Sequence, residues 1–63
     1  MIELMDAARG VGREVEYRPH GGHAERGVIT GISVTGWVFV RYGTDSHAKA
    51  TNPGDLYAVG EWS

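Results

Sequence analysis

The three histidines are the residues whose types and spacing most invite chemistry. His20 and His23 stand three apart in a glycine-rich stretch, and His47 follows Asp45 by two positions. If the first stretch folded over the second, these side chains would offer zinc three nitrogens and a carboxylate. The linear spacing does not preset that geometry, because His20-x-x-His23 flanks Gly21-Gly22 and does not lie on one turn of a helix. Solvated loop histidines are therefore expected, with no metal site and no cofactor. Asp45-Ser46-His47 has the letters of a nucleophilic triad, but adjacent residues cannot form the relay that a triad assembles across a fold. A turn is the better reading. Glu14 and Glu16 share a strand face and could pair as carboxylates, yet two outward acids are also the ordinary pattern of a solvated antiparallel strand. Gly10-Val-Gly12 lacks a third glycine and precedes a strand instead of following one, so it is no dinucleotide fingerprint. A chain this short also leaves little room for a substrate pocket of several hundred Å³ (roughly 300 or more in ordinary sites). An enzyme is not expected.

The aromatic residues carry the remaining potential: Tyr17, Trp37, Phe39, Tyr42, Tyr57 and Trp62, interleaved with Arg18, Arg41 and Lys49. Small β domains stack bases or grip peptides with such sets. They also need large side chains for their cores, since an aromatic buries about 150 to 250 Å². Tyr17 and Phe39 are assigned mainly to the core, with an N-terminal helix lying over the Phe39 side. Trp37, at the tip of a tight hairpin, and Tyr42, at the far end of the same strand, are harder to bury. With Arg41 and Arg18 they form the expected partner-binding set; Trp62 is assigned no position.

These side chains must be positioned by a single domain, residues 1–63. At this size roughly 60% of the unfolded surface can be buried, and stability is marginal. Cysteine is absent, which removes disulfides and thiolate metal sites and fits a cytoplasmic setting. No apolar run is long enough for a signal peptide or a membrane-spanning helix, so no membrane association is expected. Eight acidic residues against six basic ones give a formal net charge of -2. A phosphate-binding domain ordinarily shows a basic excess, so nucleic acid is demoted as a partner.

Periodicity supplies the elements. Residues 2–9 read as a short helix with Gly10 as its stop; Ile2, Met5 and Arg9 lie on one side, and Leu4 and Ala8 form an adjoining stripe. Residues 13–18 alternate, with Val15 and Tyr17 inward, and Pro19 ends the run. A long loop through Gly21-Gly22 leads to a second strand at 27–33, in which Gly31 permits a bulge. Trp37-Val-Phe-Val-Arg-Tyr42 follows a tight turn. Its apolar residues occupy both sides of the period-2 pattern, so both faces want cover, which points to a closed or strongly curled sheet. A fourth strand spans 47–51. Asn52-Pro-Gly-Asp-Leu56 then has the make-up of a single 3₁₀ turn that carries Leu56 into a core, and residues 57–59 add a fifth strand. The expected architecture is mainly β: an SH3-like small barrel of about five strands over residues 13–59, fronted by the helix at 2–9.

The runs Gly27-Val-Ile-Thr30, Val38-Phe-Val-Arg-Tyr-Gly43 and Ala48-Lys-Ala-Thr-Asn-Pro-Gly-Asp-Leu56, with Tyr17-Arg18-Pro19 before the first long loop, resemble a group of small, mostly uncharacterised proteins of bacteriophages and prophages. The likeness covers about residues 13 to 56, and its motifs are structural. It implies the barrel and a phage or bacterial origin, and it implies no activity.

The sequence thus predicts a non-enzymatic binding module whose partner is protein, gripped beside the loop from Arg18 to Arg26. The first alternative is nucleic-acid binding, with Arg18, Arg41 and Lys49 on phosphates while Trp37 and Tyr42 stack bases. The second is self-assembly, a homodimer formed through the helix or Trp37.

Overall fold

In the computed structural model, which describes residues 1–60, the alternating segments pair into one antiparallel sheet. A short helix α1 (Leu4–Arg9) precedes β1 (Glu14–Tyr17), β2 (Glu25–Ile32), β3 (Val38–Tyr42) and β4 (Lys49–Thr51); a 3₁₀ turn (Pro53–Asp55) then leads into β5 (Leu56–Ala58). The strand order is β4-β3-β2-β1-β5. Each strand expected from alternation is present, with ends shifted by no more than two residues. Trp62 lies outside the described residues.

The expected barrel closure is not formed among the described residues: no ladder joins β4 to β5, and the sheet is open. It is nonetheless strongly coiled. Flat strands about 4.8 Å apart would hold the outer two about 19 Å from each other. The connection from Thr51 to Leu56 runs mostly through the 3₁₀ turn, where the chain rises only about 2 Å per residue, so it reaches about 13 Å. Only curling brings the two edges within that reach.

One face of the curl is dry. Val38, Val40 and Tyr42 from β3 meet Ile29 from β2, Val15 from β1 and Leu56 from β5, with Ile2 and Ala7 closing the cluster from the N-terminal segment. Two expectations are corrected here. Phe39 is not core: it points to the opposite face and is 37% exposed. The helix does not lie over the Phe39 side, since Ala7 belongs to the buried cluster that holds Val38 and Val40. The physical reason is that one six-residue helix can cover one face only, and the face with three inward β3 residues offers more apolar area. Of the residues expected to share one side of the helix, Ile2 is buried and Met5 is 67% exposed; the helix residue that is buried is Ala7.

Such a short helix has no stability of its own. Glu3 at its N-cap makes no side-chain cap, and Gly10 stops it by donating to the Ala7 carbonyl. Its anchors are tertiary: the Ile2 amide donates to the Pro53 carbonyl at 3.2 Å, and the Gly12 amide to that of Ile29 at 2.8 Å. The bulge foreseen at Gly31 falls there, where the β2–β3 register shifts between Ile29 and Gly31.

Candidate functional site

A groove of about 440 Å³ opens beside β4 and the 3₁₀ turn. Tyr17, Trp37 and Tyr42 form its aromatic wall, residues 49–52 run along it, and Asp55 stands beside them. The expectation of little room for a hollow of several hundred Å³ is thereby corrected. The curl that draws β4 toward β5 makes the hollow, and the 3₁₀ turn bounds it.

Each aromatic is held by an identifiable local device. Trp37 follows a turn in which the Ser33 amide donates to the Trp37 carbonyl at 2.8 Å and the Gly36 amide to the Ser33 carbonyl at 3.1 Å. Gly36 has φ of 97°, a backbone state that side chains rarely tolerate. The Thr35 amide donates to Ser33 Oγ, which also bonds Thr35 Oγ1 at 2.6 Å. The turn leaves Trp37 46% exposed at the groove. Tyr42 departs from its expected place on the surface, because it is 7% exposed. Its position in β3 puts it on the same face as Val38 and Val40, and its hydroxyl finds Thr51 Oγ1 at 2.8 Å. A phenol so partnered can be buried without an unmet hydrogen bond. Tyr17 lies 5.9 Å from Tyr42, ring centre to ring centre, at a tilted angle. Between them runs Gly27, the cross-strand partner of both Val15 and Tyr42. A Cβ at Gly27 would stand 2.6 Å from Val40 Cγ1, 2.8 Å from the Arg41 carbonyl oxygen and 2.9 Å from Tyr42 Cδ1.

Burial pushes the Tyr42 phenol above its ordinary value; the Thr51 bond acts the other way, and Tyr17, Glu25 and Asp55 add to the rise. A raised folded-state value means that the unfolded chain loses this proton first. Stability from Tyr42 is complete below the ordinary value of about 10 and is lost as pH climbs through the folded-state value. Denaturant titrations across the alkaline range should show this decline in the native protein. They should show a shallower one in Tyr42→Phe, which should also be weaker by about 1 kcal/mol at neutral pH for the lost hydrogen bond. Equal slopes in the two proteins would refute the assignment.

The structure separates the four expected partner-binding residues. Trp37 and Tyr42 come together in the groove, whereas Arg18 and Arg41 are exposed and line no part of it. Arg18 lies 4.3 Å over the Tyr57 ring and pairs with Glu16. Arg26 lies 4.0 Å from both Glu14 and Glu16. The two glutamates thus sit among arginines on the outer face, where exposed pairs contribute little. The loop between Arg18 and Arg26 does not line the groove; β4 and the 3₁₀ turn do. His20, His23 and His47 are exposed, and among the described residues no group of three or more metal-ligating side chains could hold an ion. The turn spans 42–45, where the Asp45 amide donates to the Tyr42 carbonyl at 2.9 Å; Ser46 and His47 follow it in a bend, and Asp45 Oδ2 lies 3.6 Å from Lys49 Nζ.

Sequence reasoning missed Thr51, Asn52 and Asp55 as groove residues. Asn52 caps the 3₁₀ turn through Oδ1, which accepts from the Gly54 amide at 2.9 Å, so its turn signal was legible while its place beside the aromatics was not. No protein-family model, curated protein or solved structure matches the chain. No helix among the described residues is long and apolar enough to cross a membrane.

Proposed function

We propose that the curled sheet is an SH3-like barrel of phage or bacterial origin, acting without catalysis as a module that binds protein in the Tyr17–Trp37–Tyr42 groove. The observation that carries this reading is Trp37: a large aromatic left half-exposed, lining the same hollow as two tyrosines and following a turn that fixes its place. Tryptophan so placed is the kind of side chain that dominates protein interfaces. Strand order and the 3₁₀ turn before the last strand support the barrel. Protein is favoured over nucleic acid because the groove is poor in free positive charge. Lys49 is paired with Asp45, and Asp55 adds a carboxylate. Catalysis is disfavoured because the wall is made of aromatic rings, with no histidine among the lining residues and no nucleophile–base pair.

The test compares the tagged protein with Trp37→Ala in extracts of its host, with and without nuclease. The expected result is a partner retained after nuclease and captured about tenfold or more less well by the variant, whose melting temperature stays near that of the native protein. A partner lost with nuclease, with binding that falls steeply with salt and a slope reduced by about one unit in Arg41→Ala, would instead assign nucleic acid. Equal capture by Trp37→Ala would overturn the groove.

A further inference from the structure

The groove has a property that its aromatic wall does not explain. All three residues of β4, 49–51, line it together with the following Asn52, although successive side chains of a strand face opposite ways. Register confirms the alternation: Lys49 pairs with Val40 and Thr51 with Val38, both buried, whereas Ala50 pairs with the outward Phe39. A hollow that touches both kinds of residue in unbroken order runs along the strand's edge and not over one face. Among the described residues that edge is free, since β4 is the outermost strand and pairs with β3 alone. In an antiparallel strand every second residue turns both its N–H and its C=O away from its neighbour. The groove therefore has an unfilled backbone ladder on one side and three aromatic rings on the other.

Charge narrows what can fill it. Glu25 is the direct cross-strand partner of Tyr17, so its side chain shares the Tyr17 face, and Asp55 stands at the groove itself. Neither carboxylate has a basic side chain within ion-pair distance among the described residues, whereas Lys49, the cation at the other side, is held by Asp45. The local field is negative, and exposed tryptophan and tyrosine faces also attract cations.

Resting on the protein-binding reading, we propose that the occupant is an extended segment of a partner protein that adds to β4 as a sixth antiparallel or parallel strand, with an apolar side chain against Trp37 and Tyr42 and a lysine or arginine at Asp55 and Glu25. Backbone hydrogen bonds to β4 supply affinity, and the alternate side chains on the aromatic wall supply selection.

The test selects binders from a library of random dodecapeptides and measures them one by one against the intact domain. Enriched peptides are expected to carry a lysine or arginine and to move the Trp37 indole and Ala50 amide resonances. N-methylation of the peptide backbone at alternate positions should weaken binding about tenfold per blocked hydrogen bond, and methylation at the intervening positions should not. Asp55→Asn should weaken a basic peptide about threefold to fivefold and leave its norleucine analogue unchanged. Peptides that need Trp37 but tolerate every N-methyl group would overturn strand addition while leaving the groove intact. Selection of no Trp37-dependent peptide would overturn the groove with it. Protection of the Ala50 amide that grows with protein concentration alone would show a second copy on the edge. Displacement of the peptide by oligothymidylate would put nucleic acid there, and either finding overturns a peptide as occupant.

Discussion

Leu56→Ala should be the most damaging single truncation in the core, costing about 2 to 5 kcal/mol of folding free energy. Leu56 has no exposed surface and is one of the largest side chains fully enclosed. It also sits where the fold changes direction, as the residue that closes the 3₁₀ turn and opens β5, and it pairs across to Tyr17. Emptying that site leaves a void between β5 and the aromatic wall. The N-terminal segment hangs on the same turn through the Ile2 to Pro53 hydrogen bond, so relaxation around the void would cost a second anchor. A domain of this size holds about 3 to 9 kcal/mol in total, so the variant should be largely unfolded or close to it. Urea unfolding followed by far-ultraviolet circular dichroism gives the comparison. A midpoint equal to that of the native chain would remove Leu56 from the core and, with it, the explanation of the turn.

Leu56 also shows which parts of this molecule the sequence makes legible. Asn52-Pro-Gly-Asp specifies its own geometry: proline fixes φ, the asparagine side chain satisfies the Gly54 amide, and the apolar residue that follows has one place to go. The strands were legible for the same local reason, since alternation at Val15 and Tyr17 or at Val38 and Val40 is written in neighbouring residues. What was not legible is which face the helix would take. Val38-Phe-Val alternates apolar residues with apolar residues, so the pattern is symmetrical, and only the competition between two faces for one short helix leaves Phe39 outside. Tyr42 was misplaced on the same ground. Its burial depends on a hydroxyl partner nine residues away, Thr51, whose own type carries no sign of it. The groove was half legible: Trp37 stood out as hard to bury, but the backbone edge and the carboxylates beside it come together only through the coil of the sheet.

Gly27→Ala should destabilise the domain by about 1 to 3 kcal/mol, although it adds a single methyl group. Gly27 is buried and its φ is ordinary, so backbone conformation is not the obstacle. The obstacle is space: the new Cβ would press on Val40 Cγ1, on the Arg41 carbonyl oxygen and on the Tyr42 ring, all within 3 Å. Val40 is itself fully buried, and the carbonyl belongs to the β2–β3 ladder, so neither can give way cheaply. The tyrosine ring is the softest of the three, and its displacement would break the Thr51 bond and spoil the wall it shares with Tyr17. Gly31 is the internal control. It lies in the same strand, and a Cβ there meets nothing within 4 Å, so Gly31→Ala should stay within about 0.5 kcal/mol of the native protein or gain slightly from a less flexible unfolded chain. Paired denaturation curves decide the matter. If both alanines behave alike, the close approach at Gly27 does not exist in solution, and the Tyr17–Tyr42 wall loses the feature that lets the two rings meet across β2.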